Sequence, residues 1–341
     1  MVPGMRRYWS VVTPMSAQLV AALAKQAEDQ GGTGLFAPQV YGPPFTTLAA
    51  AAVTTERVRL GSGVAIAAVR SPFETAMAAI DMDRLSNGRF VLGLGTSVHA
   101  WTSGIFGAPH YKPVSHLRET VAAIRHIVAG AHQDLAPFEG EYYRADFREL
   151  QPSAPPVREE ITIWIAALRS KLVGLAAEIG DGLIGHPMWS VQWSIEKMKP
   201  EFEAGLAAAG RPRTAVEVNL WPWVAPSENV HEAIDDARPT MAFYGGIKQY
   251  EPFFEVHGFG DVARRLQAGV QRGDYLSVAP LVPDEMVRAF VAVGTADEVR
   301  SRVEPLWTFA DSLCPVPPVY GLPFERIARY HDAIAHTFYR A

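Results

Sequence analysis

The chain has 341 residues, 48% of them hydrophobic, enough to bury a large core. Its 31 basic and 36 acidic side chains leave a net charge of −5, and no basic run of five or more appears, which argues against a nucleic-acid partner. A single cysteine, Cys314, excludes an intramolecular disulfide and a cysteine-rich metal site, and a buried, inert thiol is its expected state. Strand and helix signals then alternate along the chain. Tyr8–Val12 reads as a first strand, and Ser16 caps a helix through about Gln30, with Leu19, Leu23 and Ala27 at helical spacing. Gly31-Gly32 stops it. Strand two is Gly34–Pro38, and Thr46 or Thr47 caps the next helix. Strand three is Val58–Ile66, with Gly61 and Gly63 inserted. Ser71-Pro72 starts a third helix, proline being favoured at the first helical position. That helix ends near Gly88, and strand four is Phe90–Leu94.

The pattern then loosens. His99–Pro113 is a loop, Val114–Ala129 a helix, and Asp134–Pro156 an excursion rich in proline, charge and aromatics. Strand five is Ile161–Ala166, and Ser170 opens a helix to about Ile179. Strand six is Gly182–Gly185, followed by a helix over Ser190–Ala209. Strand seven is Val216–Val224. Asn229–Val282 is mainly helical with a broken middle at Gly245–Gly260. Thr295 caps a helix through about Thr308, and a strand at Leu313–Val319 and a helix from about Phe324 close the chain. Eight strands each followed by a helix describe an α/β fold, a closed (β/α)8 TIM barrel, with an open doubly wound sheet as the alternative. No repeat or domain-length linker appears, so residues 1–341 read as one domain with a helical insertion around 229–290. No apolar stretch is long enough to span a bilayer. Arg6 and Arg7 lead into a short polar-interrupted run that does not read as a signal peptide. A soluble cytoplasmic protein with no membrane partner is expected.

The segment Arg84-Leu85-Ser86-Asn87-Gly88-Arg89-Phe90-Val91-Leu92-Gly93-Leu94-Gly95 reads as a helix end, a glycine stop and a short buried strand whose carboxyl end lacks bulky side chains. Such an end lets a flat ligand lie close to the backbone, and Thr96-Ser97 adds hydroxyls and amides. Glycines equally relieve crowding inside a barrel, so this segment alone leaves both readings open. It is not a dinucleotide fingerprint, because the third glycine is absent and a loop follows it. Leu60-Gly61-Ser62-Gly63-Val64 repeats the design one unit earlier, where an ordinary bulge is the alternative. Ala166-Ala167-Leu168-Arg169-Ser170 ends strand five at a helix start, where amides and Arg169 suit a phosphate; otherwise Ser170 is only a cap. His186 follows strand six, at the end of a barrel strand where chemistry sits, and titrates near neutral pH. A structural histidine before a turn is the alternative. Trp101 and Trp189, near strand ends, suit an apolar substrate or plain core packing. No two histidines stand three or four residues apart, HExxH is absent, and no metal site is expected. A G-x-S-x-G elbow is missing as well.

Asp83 through Gly95 resembles the signature of the bacterial luciferase-like superfamily of flavin- and deazaflavin-dependent enzymes. Leu60–Val64, Ser71-Pro72-Phe73 and Ala166–Gly182 agree in order. Val282-Pro283-Asp284-Glu285-Met286 and Gly294-Thr295-Ala296-Asp297-Glu298-Val299 look more like the branch that uses coenzyme F420, including methylene-tetrahydromethanopterin reductase-like proteins. The resemblance implies a (β/α)8 barrel with the cofactor at the carboxyl ends of the strands. It implies a bulge with a non-prolyl cis peptide after strand three, at Gly63-Val64, against the cofactor ring. Thr96, Ser97, Val98 and His99 would hold the cofactor's side chain, and Ala166, Ala167, Leu168, Arg169 and Ser170 its phosphate region. Relatives that oxidise sugar phosphates or alcohols have Asp-His at the end of strand two; this chain has Gln39-Val40, then Tyr41. The acid at the ring and the catalytic histidine are thus lost there, although glutamine still hydrogen-bonds.

The expected activity is hydride transfer between F420 and a small organic substrate. Gln39, Gly63, Val64, Thr96–His99 and Ala166–Ser170 would bind the cofactor. Tyr41, Trp101 and Trp189 would line the substrate side, with His186 as proton donor or acceptor. A reduced-FMN, oxygen-using monooxygenase and a non-catalytic flavin-binding barrel share these motifs. A homodimer is expected, since barrels of this kind associate through helices near the start of the chain.

Overall fold

The structure is a computed structural model and describes residues 6–339. Thirteen strands occur among them. They are β1 (Trp9–Val11), β2 (Gly34–Ala37), β3 (Arg59–Ser62), β4 (Ala65–Ile66), β5 (Phe90–Gly95), β6 (Phe138–Glu139) and β7 (Arg144–Ala145), followed by β8 (Ile163–Ala167), β9 (Gly182–Gly185), β10 (Glu217–Leu220), β11 (Trp223–Pro226), β12 (Val291–Gly294) and β13 (Ser312–Leu313). The main sheet runs β1-β2-β3-β5-β8-β9-β10-β13, with β4 also on β5. Neighbours in it therefore follow chain order, as in a (β/α)8 barrel, and this is the fold class of the chain. The open doubly wound order, which reverses partway, is not found.

Several expected elements change. The third strand is interrupted between β3 and β4. Neither Thr46 nor Thr47 caps the second helix: it spans Pro44–Ala52, Pro43 holds the cap position, and the Thr46 hydroxyl donates to the Pro43 carbonyl. The diproline, which presets the backbone for a first helical turn, outranks the threonines. The expected loop after β5 contains a helical turn at His99–Thr102. The excursion carries the β6–β7 hairpin, whose backbone amides at 141–143 all donate to the Glu119 carboxylate. Strand seven is split at Pro222 into β10 and β11, because β11 pairs with β12 instead of continuing in the main sheet. The strand β12 was not visible in sequence because it follows helix Asp284–Phe290 with no turn residue between them. On helix Ala17–Asp29 the buried stripe is Val20, Ala24 and Glu28, while Leu19 and Leu23 are exposed. Glu28 sets the helix rotation, because its carboxylate accepts the amides of Glu56, Arg57 and Val58.

The described residues cluster into two compact units. The N-terminal unit comprises Trp9–Ile184 and Glu201–Glu217. On its floor Trp9 and Phe36 stack with centroids 4.2 Å apart, and the Arg59 guanidinium lies 4.9 Å from the Trp164 ring centroid while pairing with Glu217 at 2.8 Å. The signature segment packs just above. Helix Pro72–Leu85 ends at Asn87 (φ 51°) and Gly88 (φ 79°), which turn the chain into β5. Asp83, 1% exposed, receives Arg158 Nε at 3.0 Å, and Arg158 also donates to the Phe90 carbonyl. Arg89 donates to the Thr55 and Val58 carbonyls. The charged residues of the signature therefore bind the protein itself.

The C-terminal unit comprises residues 6–8, Gly185–Pro200 and residues 218–339. It holds the β10–β13 and β11–β12 pairs and a bridge from Tyr8 to Leu313. Its helical insertion is broken where expected: Val230–Gly245, Glu251–Val256 and Gly260–Gln271 are separate helices. Cys314 is fully buried, and burial raises its thiol pKa well above the usual range, which keeps it unreactive.

The interruption between β3 and β4 is a bulge. Gly61 pairs with Val91 and Ala65 with Leu94, so three residues on one strand face two on the other. The Ser62 side chain repairs the ladder: its hydroxyl donates to the Gly93 carbonyl at 2.8 Å and accepts the Gly93 amide at 2.9 Å. A Cβ on Gly93 would sit 2.0 Å from the Ser62 carbonyl oxygen. At Gly93, then, the missing side chain relieves crowding between two backbones, one of the two readings its segment left open. Substituting Ser62→Ala should strand both buried Gly93 groups and cost roughly 1–3 kcal/mol. A urea midpoint lowered at unchanged slope is expected; a loss under about 0.5 kcal/mol would show that the hydroxyl is not needed.

Candidate active site

In the N-terminal unit the ends of β2, β4, β5 and β8 meet. The Gly63-Val64 peptide is cis, at the position the resemblance implied. A Cβ on Gly95 would lie 2.7 Å from Val64 Cγ2 and 3.6 Å from the Ala166 Cβ, so three of the expected segments converge. Gly63 and Val64 remain half-exposed. Gln39, two residues past β2, donates its amide to the Val64 carbonyl at 3.2 Å. Its side-chain Oε1 accepts the Ile66 amide and Arg70 Nη2, both at 2.9 Å. The carbonyl end of Gln39 is thus spent on the bulge, while its Nε2 has no hydrogen-bond partner among the described residues. Arg70 was missed in sequence. Its place just before the Ser71-Pro72 helix start was the available signal. Burial lowers its pKa, and its guanidinium lies 5.4 Å from the Phe45 ring centroid.

Past β5 the chain turns outward. Thr96 is half-buried, and its carbonyl accepts the Tyr111 hydroxyl at 3.2 Å. Ser97 takes φ 55°, a conformation uncommon outside glycine and worth notice near a site. Val98 leads into the helical turn begun by His99, whose Nδ1 is 3.3 Å from Ser103 Oγ. Tyr41, 76% exposed, stacks on Trp101 with centroids 6.3 Å apart and planes within 13°. Ala167, the last residue of β8, is buried; past it Leu168 is half-buried, and Arg169 and Ser170 are exposed. Arg169 holds the cap position of helix Ser170–Ile179 and makes no capping bond, so Ser170 is the first helical residue and not the cap. The first amides of that helix have no side-chain cap, an arrangement that suits an anion.

His186 and Trp189 belong to the C-terminal unit. The Met188 amide donates to His186 Nδ1 at 3.1 Å. A neutral ring whose Nδ1 accepts must carry its proton on Nε2, which lies 3.5 Å from the Tyr250 hydroxyl oxygen. The ring is only partly open to solvent, and burial pushes its pKa down to about 4. Burial, with Tyr320 nearby, pushes Tyr250 up to about 12 and Tyr244 well above its ordinary value. The cluster is therefore neutral at pH 7. Trp189, buried, lines a cavity with Trp223. Tyr244, Tyr250 and Tyr320 were not singled out in sequence, because the first two lie in a segment that reads only as broken helix. Among the described residues no group of three or more His, Cys, Asp or Glu side chains is placed to hold a metal ion, and no helix is long and apolar enough to cross a membrane.

A family model described as luciferase-like monooxygenase matches residues 3–308. Similar proteins include a putative coenzyme F420-dependent oxidoreductase of Mycobacterium tuberculosis, 32% identical over 314 residues, 87% of this chain and 88% of that one. Another is 5,10-methylenetetrahydromethanopterin reductase of Archaeoglobus fulgidus, 30% identical over 295 residues, 83% of this chain and 84% of that one. Among solved structures, the coenzyme F420-dependent tetrahydromethanopterin reductase of Methanopyrus kandleri matches with a TM-score of 0.80 at 22% identity, covering 98% of this chain and 100% of its own.

The His186 geometry makes a pH prediction. Its folded pKa of about 4 lies below the ordinary 6.5. The unfolded chain therefore takes up a proton first, and this residue makes stability fall as pH drops from about 6.5 toward 4. Ring nitrogen shifts in histidine-labelled protein should show His186 neutral, protonated on Nε2, from pH 8 to pH 5. A midpoint near 6.5, or a proton on Nδ1, would contradict the assignment.

Proposed function

The chain belongs to the luciferase-like monooxygenase family, and we propose that within it the protein is an F420-dependent oxidoreductase acting on a small organic substrate. That it is an oxidoreductase follows from its relatives. The observation that carries the cofactor assignment is the 32% identity, along 87% of the chain, to the mycobacterial protein named for F420. The residues present fit such a group. Gln39 keeps a free Nε2 beside the bulge, able to donate to a ring carbonyl. Gly63 and Val64 offer a flat, half-exposed backbone surface, and Thr96, Ser97, Val98 and His99 supply amides and hydroxyls to the cofactor's tail. The uncapped helix start at Ser170, with Ala166, Ala167, Leu168 and Arg169 before it, suits the phosphate region.

When bound, the deazaflavin supplies or accepts the hydride. The chain's own side chains orient, exclude water and handle the proton. Tyr41 and Trp101, stacked on each other, line the substrate side of the N-terminal unit. His186, neutral with its proton on Nε2, donates a hydrogen bond to substrate oxygen, and the Tyr250 hydroxyl lies beside it. The chain functions as one cytoplasmic domain and as a homodimer. Leu19 and Leu23, exposed on the first helix, favour association there. The buried free Cys314 suits a reducing compartment. The family's own description favours a second reading, a reduced-FMN monooxygenase.

Titration with F420 and with FMN, each oxidised and reduced, followed by oxygen-uptake measurement, separates the two. Saturable F420 binding without oxygen uptake is expected. Binding of FMN alone, with oxygen consumed, would overturn the reading. His186→Ala should lower turnover roughly 100-fold with cofactor affinity unchanged; unaltered turnover would remove its role.

A further inference from the structure

The cofactor residues leave one cavity unused, lying wholly within the C-terminal unit. Its volume is about 550 Å3, within the range of small-molecule sites. Trp189, Trp223, Phe290 and Val303 line it, and each is buried, so its floor is apolar. Its rim is polar and uneven. Arg302 lines the cavity and has no carboxylate partner among the described residues. Partial burial lowers its pKa, and the one charged group that bears on it is a second cation, Arg288, itself without an acid partner. Both arginines are exposed side chains that act on each other electrostatically, and an anion bound at Arg302 relieves that repulsion.

The rim also carries an acid. Glu196 accepts Gln192 Nε2 at 2.9 Å and acts electrostatically on His257, whose Nε2 is held 2.8 Å from Ser190 Oγ. Glu196 forms no ion pair with Arg302, so the two charges remain separate on one rim. A single anionic group suits the arginine; a doubly charged phosphate would be disfavoured by the carboxylate. We propose that this cavity binds a small monocarboxylate with an apolar body, its carboxylate on Arg302 and its body against Trp189, Trp223 and Phe290. A planar guanidinium matches a carboxylate with two parallel hydrogen bonds, and the rings supply the apolar area. The site adds to the hydride-transfer reading and needs no cofactor to be tested.

Calorimetric titration of the cofactor-free protein with 4-phenylbutyrate, 4-phenylbutanol and 4-phenylbutylamine tests it. The acid should bind about tenfold tighter than the alcohol, the worth of one charge-assisted pair. Arg302→Gln, checked for folding by circular dichroism, should abolish that advantage and leave alcohol binding unchanged. Equal binding of alcohol and acid, tighter binding of the amine, absence of saturable binding, or an advantage that survives Arg302→Gln would each overturn the proposal. Any of these results would leave the cofactor titration and its interpretation unaffected.

Discussion

The approach of β5 to the turn after β3 governs the geometry of the N-terminal unit's carboxyl end. One extra residue on the β3 side breaks the ladder there, and a broken ladder leaves buried amide and carbonyl groups that must find partners. Ser62 supplies both partners from a single hydroxyl, and Gly93 lets the two backbones close to a distance that no side chain would permit. The bulge that results sets Val64 beside Gly95 and Gly63 against Phe36, and Gln39 clamps its far side through Ile66. The candidate cofactor surface is thus a consequence of how a defect in a sheet is satisfied.

Charged side chains divide their labour. Asp83, Arg158, Arg89 and Glu28 are spent on backbone groups or on each other inside the scaffold, where an unpaired charge is costly. Arg288 and Arg302 have no such partner among the described residues. The His186–Tyr250 cluster follows a third pattern: burial keeps every member neutral, so its hydrogen bonds have a defined direction without any net charge. Such a cluster offers hydrogen-bond donation without the attraction of a cation.

Much of the frame is legible in the chain because its signals are local. Ser16 and Ser71 cap the helices they precede, Asn87-Gly88 ends one, and the short apolar runs become the strands of the ring. The family likeness in Asp83–Gly95 and the Gln39-Val40 that stands in place of the relatives' Asp-His can also be read directly. Errors arose where a local signal met a competing one, as at Pro43-Pro44 against Thr46, or where a strand such as β12 followed a helix without a turn residue.

By itself, then, the sequence determined the barrel, the order of its strands, the family and the segments at the strand ends. Only the tertiary structure decided that Gly93 lets β5 close on Ser62, and that the side-chain Nε2 of Gln39 has no partner among the described residues. The same holds for Arg70 beside it, for the Nε2 proton of His186 directed at Tyr250, and for Arg302 left unpaired on an apolar cavity. Each of these depends on hydrogen bonds, packing or missing partners between residues tens to hundreds of positions apart. Periodicity and capping act over a few residues, so they carry the frame but not the partners that give a side chain its chemistry.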